Sequence, residues 1–167
     1  MSIPSKILIG FLLLGFAVLS GCGKEQKKQN LKVPRLMVEA RGVNYGGLTG
    51  AVATLPVSGT KIQLQRDPLV SEFEIRNVEL VKVDLGLALL LQVSEKGARE
   101  LYRASVSNNG GRVVLEINGN AIGARRFDGA ITDGNLYTFV EIPDDELEQL
   151  VFDLKASILE IQTSQNK

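Results

Sequence analysis

The 167-residue sequence contains no histidine and a single cysteine. Histidine is the commonest metal ligand in proteins and the usual general base near neutral pH, so its absence argues against zinc chemistry and against a serine–histidine catalytic pair. A single cysteine excludes a disulfide within the chain, and stability must therefore come from packing. We accordingly predict neither a metal site nor a cofactor.

Aromatic residues and excess charge are also scarce. Tryptophan is absent, aromatic residues make up 5% of the chain, and 19 basic residues balance 19 acidic ones. Nucleic-acid binding requires concentrated positive charge, and single strands also require aromatic side chains for base stacking. The composition thus predicts no nucleic-acid partner. Its 44% hydrophobic and 23% charged residues are typical of one globular domain.

The N-terminus has the three consecutive features of a secretory signal. Lys6 supplies a positive charge, residues 7–18 are almost wholly apolar, and small residues precede Cys22. The apolar run is shorter than the roughly 20 residues that a transmembrane helix needs, which disfavours a permanent membrane-spanning anchor. We therefore predict that residues 1–21 are a cleaved signal peptide.

The tetrad Leu19-Ser20-Gly21-Cys22 resembles the lipobox of bacterial lipoproteins. The resemblance implies that the Cys22 thiol carries a diacylglycerol, and that the new amino terminus carries a further acyl chain such as palmitate. The protein would then be anchored to a bacterial membrane and face the periplasm. Gly23 stands where an inner-membrane retention signal has aspartate, which favours the outer membrane. A secreted protein with a free thiol is the alternative.

The rest of the chain divides into a tether, a domain and a tail. Residues 22–33 are rich in Gly, Lys, Gln and Asn and too polar to bury a core, so we interpret them as a flexible tether. Residues 34–162 are predicted to form a single domain, and residues 163–167 a polar tail. Four glycines in residues 42–50 lack the Gly-Lys-Ser/Thr ending of a phosphate-binding loop, which indicates a mobile loop instead.

Two patterns keep a small hydrolase as an alternative function. Ser58 and Lys61 match the S-x-x-K motif of serine β-lactamases and penicillin-binding proteins. However, residues 61–65 alternate polar and apolar, which predicts a strand that would turn Lys61 away from Ser58.

The second pattern is a group of acids at a predicted helix start, namely Asp144, Asp145, Glu146 and Glu148. Paired carboxylates serve in sugar cleavage, but a helix start also favours acids through its dipole, so we predict no catalytic residue.

The clearest structural signals lie between residues 78 and 154. Residues 87–93 are apolar apart from Gln92, as in a central strand, and Ser94 is a suitable N-cap for a following helix. Asn118-Gly119 predicts a two-residue hairpin turn. The expected pairs are Ile117 with Asn120, Leu115 with Ile122 and Val113 with Ala124. Pro143 suits the first turn of a second helix.

The order of these elements resembles the head part of the large periplasmic domain of the protein-export subunit SecD. The similarity covers residues 83–155 and lies in LLQVSEKGAREL (residues 90–101), NNGGRVVLEING (108–119), GAITDG (129–134) and the Leu-rich helix after Glu146. In that family the head moves relative to a base and contacts exported chains, while proton flow through the membrane part powers release. The sequence shows none of the family's transmembrane helices, so the resemblance implies the fold and a capacity to contact polypeptide, without a motor.

We therefore expect an α+β domain like the SecD head, with an antiparallel or mixed β-sheet and two α-helices packed on one face. The expected function is that of a noncatalytic, lipid-anchored envelope protein that binds a protein partner or an exported polypeptide. Candidate contact residues are Arg125, Arg126, Tyr137 and Phe139. Two alternatives stay open: that the arginines form a charged strand edge, which prevents aggregation, and that the whole protein is a structural spacer.

Overall fold

The computed structural model of the chain describes residues 31–41 and 49–165. These residues form eight strands and two helices, which confirms the predicted α+β class. The strands are β1 (Pro34–Val38), β2 (Thr49–Thr54), β3 (Lys61–Gln65), β4 (Ile75–Val83), β5 (Gly86–Val93), β6 (Arg112–Ile117), β7 (Asn120–Arg126) and β8 (Asn135–Thr138). The helices are α1 (Glu95–Ser107) and α2 (Asp144–Gln165). The signal sequence, Cys22 and residues 42–48 of the glycine-rich segment lie outside the described residues.

The described strands pair antiparallel throughout and form three small sheets, with the orders β1-β6-β7, β2-β3 and β4-β5-β8. Isolated bridges join the sheets at their edges. Glu39, just after β1, pairs with Leu64 of β3, and Gly123 of β7 pairs with Val140, just after β8. The second bridge matters most for the candidate site, because it brings the ends of two sheets together.

The main hydrophobic cluster lies between the sheets and the helices. Leu89 of β5 and Leu115 of β6 meet Leu101 of α1 and Leu154 of α2 there. Because successive side chains of a strand point to opposite faces, the residue next to Leu115 in β6 belongs to a second hydrophobic cluster on the other face of the sheet. Val114 of β6 packs there against the β2-β3 hairpin. The β1-β6-β7 sheet is therefore covered on both faces.

Several local predictions are confirmed. The apolar strand β5 lies in the centre of its sheet, between β4 and β8. The Oγ of Ser94 accepts a hydrogen bond from the backbone N–H of Gly97 at 3.2 Å, as expected of an N-cap. β4 has a register shift between Ile75 and Asn77, where its hydrophobic phase changes in the sequence.

The β6-β7 hairpin corrects one prediction. Asn118 and Gly119 have φ angles of 53° and 79°, as a tight primed turn requires, and Ile117 pairs with Asn120 as predicted. Beyond that pair a bulge at Ile122 shifts the register by one residue. Leu115 therefore pairs with Gly123 and Val113 with Arg125. The predicted pairs Leu115–Ile122 and Val113–Ala124 are wrong, because regular alternation gives no sign of an inserted residue.

The domain also exceeds its predicted bounds at both ends. Lys32 donates its backbone N–H to Ser157 Oγ at 2.9 Å, and Val33 donates its own to Asn118 Oδ1 at 2.8 Å. The last residues of the predicted tether thus lie on the domain. At the other end α2 continues to Gln165, so that residues 163–165 of the predicted tail are helical. Thr163 donates its hydroxyl to the Leu159 carbonyl at 2.7 Å, which lets a polar residue continue the helix.

Candidate functional site

A groove opens between the β4-β5 turn, the end of β7 and β8. It has a volume of about 520 Å³. Its walls combine apolar residues with a few charges: Val83, Asp84, Leu85, Ala88, Ala124, Arg125, Arg126, Asp128, Tyr137 and Phe139. A mostly apolar concavity with a few polar groups is the usual form of a binding site.

The groove exists because β7 and β8 meet at one point and then separate. They meet at the bridge between Gly123 and Val140, where Glu141 also donates its N–H to the Ile122 carbonyl at 2.7 Å. Gly123 is required for this approach, because a Cβ atom there would lie 2.9 Å from Cα of Val140. Beyond the bridge, the space between the two strands is the groove.

Arg125 spans this gap. Its Nη1 donates to the Tyr137 carbonyl oxygen at 3.1 Å, and its Nη2 lies 3.4 Å from a carboxylate oxygen of Asp128. These contacts fix the guanidinium between β7 and β8. Arg126 is exposed, and none of the ion pairs found among the described residues includes it. It therefore leaves a positive charge at the rim of the groove.

Three large apolar side chains of the groove are open to solvent. Leu85, at the tip of the β4-β5 turn, is 84% exposed, Tyr137 is 41% exposed and Phe139 is 43% exposed. Single exposed hydrophobic residues are common on protein surfaces, whereas a group of them in a concavity indicates a contact surface.

The four residues that the sequence marks as candidate contacts, Arg125, Arg126, Tyr137 and Phe139, all line this one groove. Sequence reasoning missed Leu85, because residues 84–86 indicate only a turn. The sequence did contain a signal for Leu85, because a bulky apolar residue directly before a glycine in a tight turn lies too far from the core to be buried there. Gly86 has a φ of 124°, as this turn requires.

Ser58 and Lys61 lie elsewhere, in the β2-β3 hairpin. The Ser58 hydroxyl donates to Thr60 Oγ1 at 2.8 Å within the turn, and Lys61 is the exposed first residue of β3. The strand prediction for residues 61–65 is confirmed. Neither residue lines the groove.

A carboxylate holds this hairpin turn in place. Glu141 Oε2 accepts the backbone N–H groups of Val57 and Ser58, both at 2.8 Å. Desolvation raises the pKa of Glu141, but the hydrogen bonds from Ser58 and Val57 outweigh it and lower the pKa overall. The contact links the hairpin to the segment after β8 and accounts for Ser58 structurally.

The acidic residues at the start of α2 are exposed. Asp144, Asp145 and Glu146 lie in the first turn, where they complement the helix dipole, and Glu148 follows on the solvent side. Across residues 31–41 and 49–165, no group of three or more potential metal ligands is found. In the same part of the chain, neither helix is long and apolar enough to cross a membrane.

Comparisons with known proteins concern the fold. No protein-family model and no curated protein matches the sequence. A structure of SecDF, a membrane component that enhances protein export, is similar with a TM-score of 0.56 and 15% identity, over 77% of this chain and 64% of that one. SecDF in its super-membrane-facing form is similar with a TM-score of 0.55 and 18% identity, over 75% of this chain and 19% of that one.

This chain therefore spans less than two thirds of each of the two SecDF chains. The structural match is longer than the sequence resemblance, which covers only residues 83–155. A match over 77% of the chain must also include residues from its N-terminal half. At these identities the likeness concerns the fold alone. The described domain shares the fold of part of SecDF, as the sequence resemblance predicted.

Proposed function

We propose that this protein is a lipid-anchored envelope protein whose SecD-like domain binds an extended segment of a protein partner or an exported polypeptide. The binding site is the groove between the β4-β5 turn, β7 and β8. The observation that carries the proposal is the group of exposed apolar side chains in one concavity, Leu85, Tyr137 and Phe139, beside Arg126, which is exposed and forms no ion pair with any described residue.

Three features of the groove support a polypeptide as its ligand. Its apolar walls suit side chains of an unfolded or extended segment, and its charges are few. β8 is an edge strand of the β4-β5-β8 sheet, and of its main-chain groups the Tyr137 carbonyl is already bonded to Arg125 Nη1, so a peptide would pair with the others. Exposed sheet edges bind extended peptides through main-chain hydrogen bonds. SecDF, which shares the fold, enhances protein export.

The anchor belongs to the same proposal. It is supported by the lipobox-like Leu19-Ser20-Gly21-Cys22 and by the secretory signal before it. Lipid attached at Cys22 would hold the domain at the periplasmic side of a bacterial membrane, and Gly23 after it favours the outer membrane. Two or three acyl chains suffice for stable anchoring, since each buried methylene contributes about 0.8 kcal/mol.

Photo-crosslinking in cells tests both parts. A photoreactive phenylalanine analogue is placed at Tyr137 in one variant and at Phe73 in the control. Phe73 is 43% exposed, close to the 41% of Tyr137, but it lies before β4 and outside the groove. We expect discrete polypeptide adducts at Tyr137 only. Equal adducts at both positions, or none at Tyr137, would instead support a structural spacer.

The same crosslinking is repeated with Cys22→Ser. We expect the unlipidated chain to leave the membrane fraction and to lose adducts with membrane-bound partners. Retention of the Cys22→Ser chain in the membrane fraction would show that the anchor assignment is wrong, whatever the groove binds.

A further inference from the structure

The outer face of α2 carries an apolar stripe that the fold leaves uncovered. Phe152 and Leu159 are 68% and 67% exposed, and Ala156 lies exposed between them. Residues three, four and seven apart share one face of a helix, so the three side chains form a continuous strip. The opposite face of α2, with Leu147, Val151, Leu154 and Ile158, is buried in the domain.

The chain joins the domain beside this stripe. The backbone N–H of Lys32 donates to Ser157 Oγ at 2.9 Å, and Ser157 directly follows Ala156 on α2. Val33 is fixed in turn by Asn118, which donates its N–H to the Val33 carbonyl at 3.0 Å. The first described residues therefore lie on the domain at the middle of α2.

The length of that segment limits how far α2 lies from the lipid. Lys32 follows Cys22 by ten positions in the sequence, and a fully extended chain spans at most about 3.6 Å per residue, or about 36 Å over those ten steps. Phe152 and Leu159 lie within five residues of Ser157 along α2, which is about 7.5 Å at 1.5 Å per residue. An anchored domain thus keeps the stripe close to the membrane surface, where its effective concentration is high.

Two basic residues beside the C-terminal part of the stripe suit a lipid surface. Lys155 lies on the stripe, and with Arg76 it borders a small cavity that Leu159 also lines. Long cationic side chains extend toward headgroups while neighbouring apolar residues enter the interface. Two exposed acids, Asp145 and Glu148, lie seven and four residues before Phe152 on the same face of α2, so the lipid contact is confined to the part of the helix from Phe152 onward.

We propose that α2 docks on the bilayer surface through Phe152, Ala156 and Leu159, with Lys155 and Arg76 at the headgroups. The proposal rests on the proposed anchor at Cys22. It also orients the groove. α2 packs against β4 on the sheet face of Val78 and Leu89, whereas Ala88 of the groove lies on the opposite face. Docking through α2 would leave the groove open to the surrounding compartment.

The test uses the full lipid-modified chain on vesicles of phosphatidylethanolamine and phosphatidylglycerol. Single substitutions Phe152→Cys and Leu159→Cys are labelled with an environment-sensitive fluorophore, since Cys22 is occupied by lipid in this preparation. The matched control is Val57→Cys, at a side chain that is 78% exposed and lies outside the groove. Vesicle flotation is measured for every variant, and lipids with a nitroxide on the acyl chain serve as quenchers.

We expect all variants to float, and emission at positions 152 and 159 to shift to the blue and be quenched by the nitroxide lipids. The label at position 57 should show neither effect. Floating variants with solvated labels at 152 and 159 would overturn the docking and leave the anchor intact. A blue shift without lipid quenching would also overturn it, in favour of contact with a second copy. Failure to float would overturn the anchor, and the docking with it.

Discussion

At Gly123 a side chain would overlap the carbonyl oxygen of Phe139 and press on Val140. This glycine is therefore the residue on which the shape of the groove depends most directly. It allows β7 to touch the segment after β8, and the bridge between them closes one end of the groove. A larger residue would force the two strands apart.

We predict that Gly123→Ala lowers the free energy of unfolding by about 1–3 kcal/mol, the usual range for overpacking in a tight contact. Urea unfolding followed by circular dichroism measures this change. The control is Gly129→Ala, where a Cβ atom would meet nothing within 4 Å. That variant should stay within about 0.5 kcal/mol of the wild type. Equal stability of the two variants would contradict the packing described at Gly123.

Single residues were predicted well where their structure depends on near neighbours. Ser94 caps α1 and Asn118-Gly119 turns the hairpin, because both motifs are formed by hydrogen bonds or backbone angles within a few residues. Leu85 and Glu141 were not assigned, because their environment comes from distant segments. Glu141 binds amides more than eighty positions earlier in the chain.

Between elements, the ion pair of Glu39 and Arg112 joins the end of β1 to the start of β6. Arg112 Nε lies 3.0 Å from Glu39 Oε2, and its Nη2 donates to the other carboxylate oxygen. The side-chain hydrogen bonds from Arg112 lower the pKa of Glu39, and the positive charge of Arg112 lowers it further. Together they outweigh desolvation, which raises the pKa. Arg35 lowers the pKa of Glu72 in the same way.

These pKa shifts predict acid sensitivity. Because the pKa of Glu39 is below the ordinary 4.5 in the folded state, the unfolded chain takes up its proton first as pH falls. The ion pair therefore stabilises the fold above about pH 4.5, and its contribution is lost as pH falls through the lower folded-state pKa. We expect Glu39→Gln to reduce stability near neutral pH by about 1 kcal/mol.

Unfolding free energies measured between neutral and acidic pH test this prediction. The Glu39→Gln curve should approach the wild-type curve as pH falls. The control Glu100→Gln removes an exposed pair with Arg103 on α1 and should stay close to the wild type at all pH values. A constant difference between Glu39→Gln and the wild type would contradict the pKa shift.

Strands and helices were largely predictable, because hydrophobic period and capping residues are local signals. Their partners were less so. The apolar run of β5 indicates a central strand, but the division into three sheets depends on edge contacts such as Glu39–Leu64. The hairpin register failed for the same reason, since the bulge at Ile122 places Gly123 against Val140, far along the chain.

For the whole molecule, the groove combines segments that are more than fifty residues apart in sequence, from Val83 to Phe139. The sequence supplied its chemistry, since two arginines and two aromatic residues were candidate contacts. It did not supply the concavity, which requires β7 and β8 to meet and then separate. The SecD resemblance predicted the fold of the second half, and the structural match extends it to more of the chain.

The central claim is that this groove binds an extended, apolar polypeptide segment, and a binding isotherm tests it most directly. The probe is a fluorescein-labelled peptide of alternating leucine and serine with lysines at its ends, titrated with the full chain and followed by anisotropy. The wild type is compared with the double variant Tyr137→Ala/Phe139→Ala. Phe73→Ala is the control, since Phe73 and Phe139 are each 43% exposed.

Loss of aromatic contact residues at the centre of an interface costs about 2 kcal/mol or more. We therefore expect the double variant to bind at least about tenfold more weakly than the wild type, and Phe73→Ala to bind like the wild type. Equal affinity of the double variant and Phe73→Ala would contradict the account.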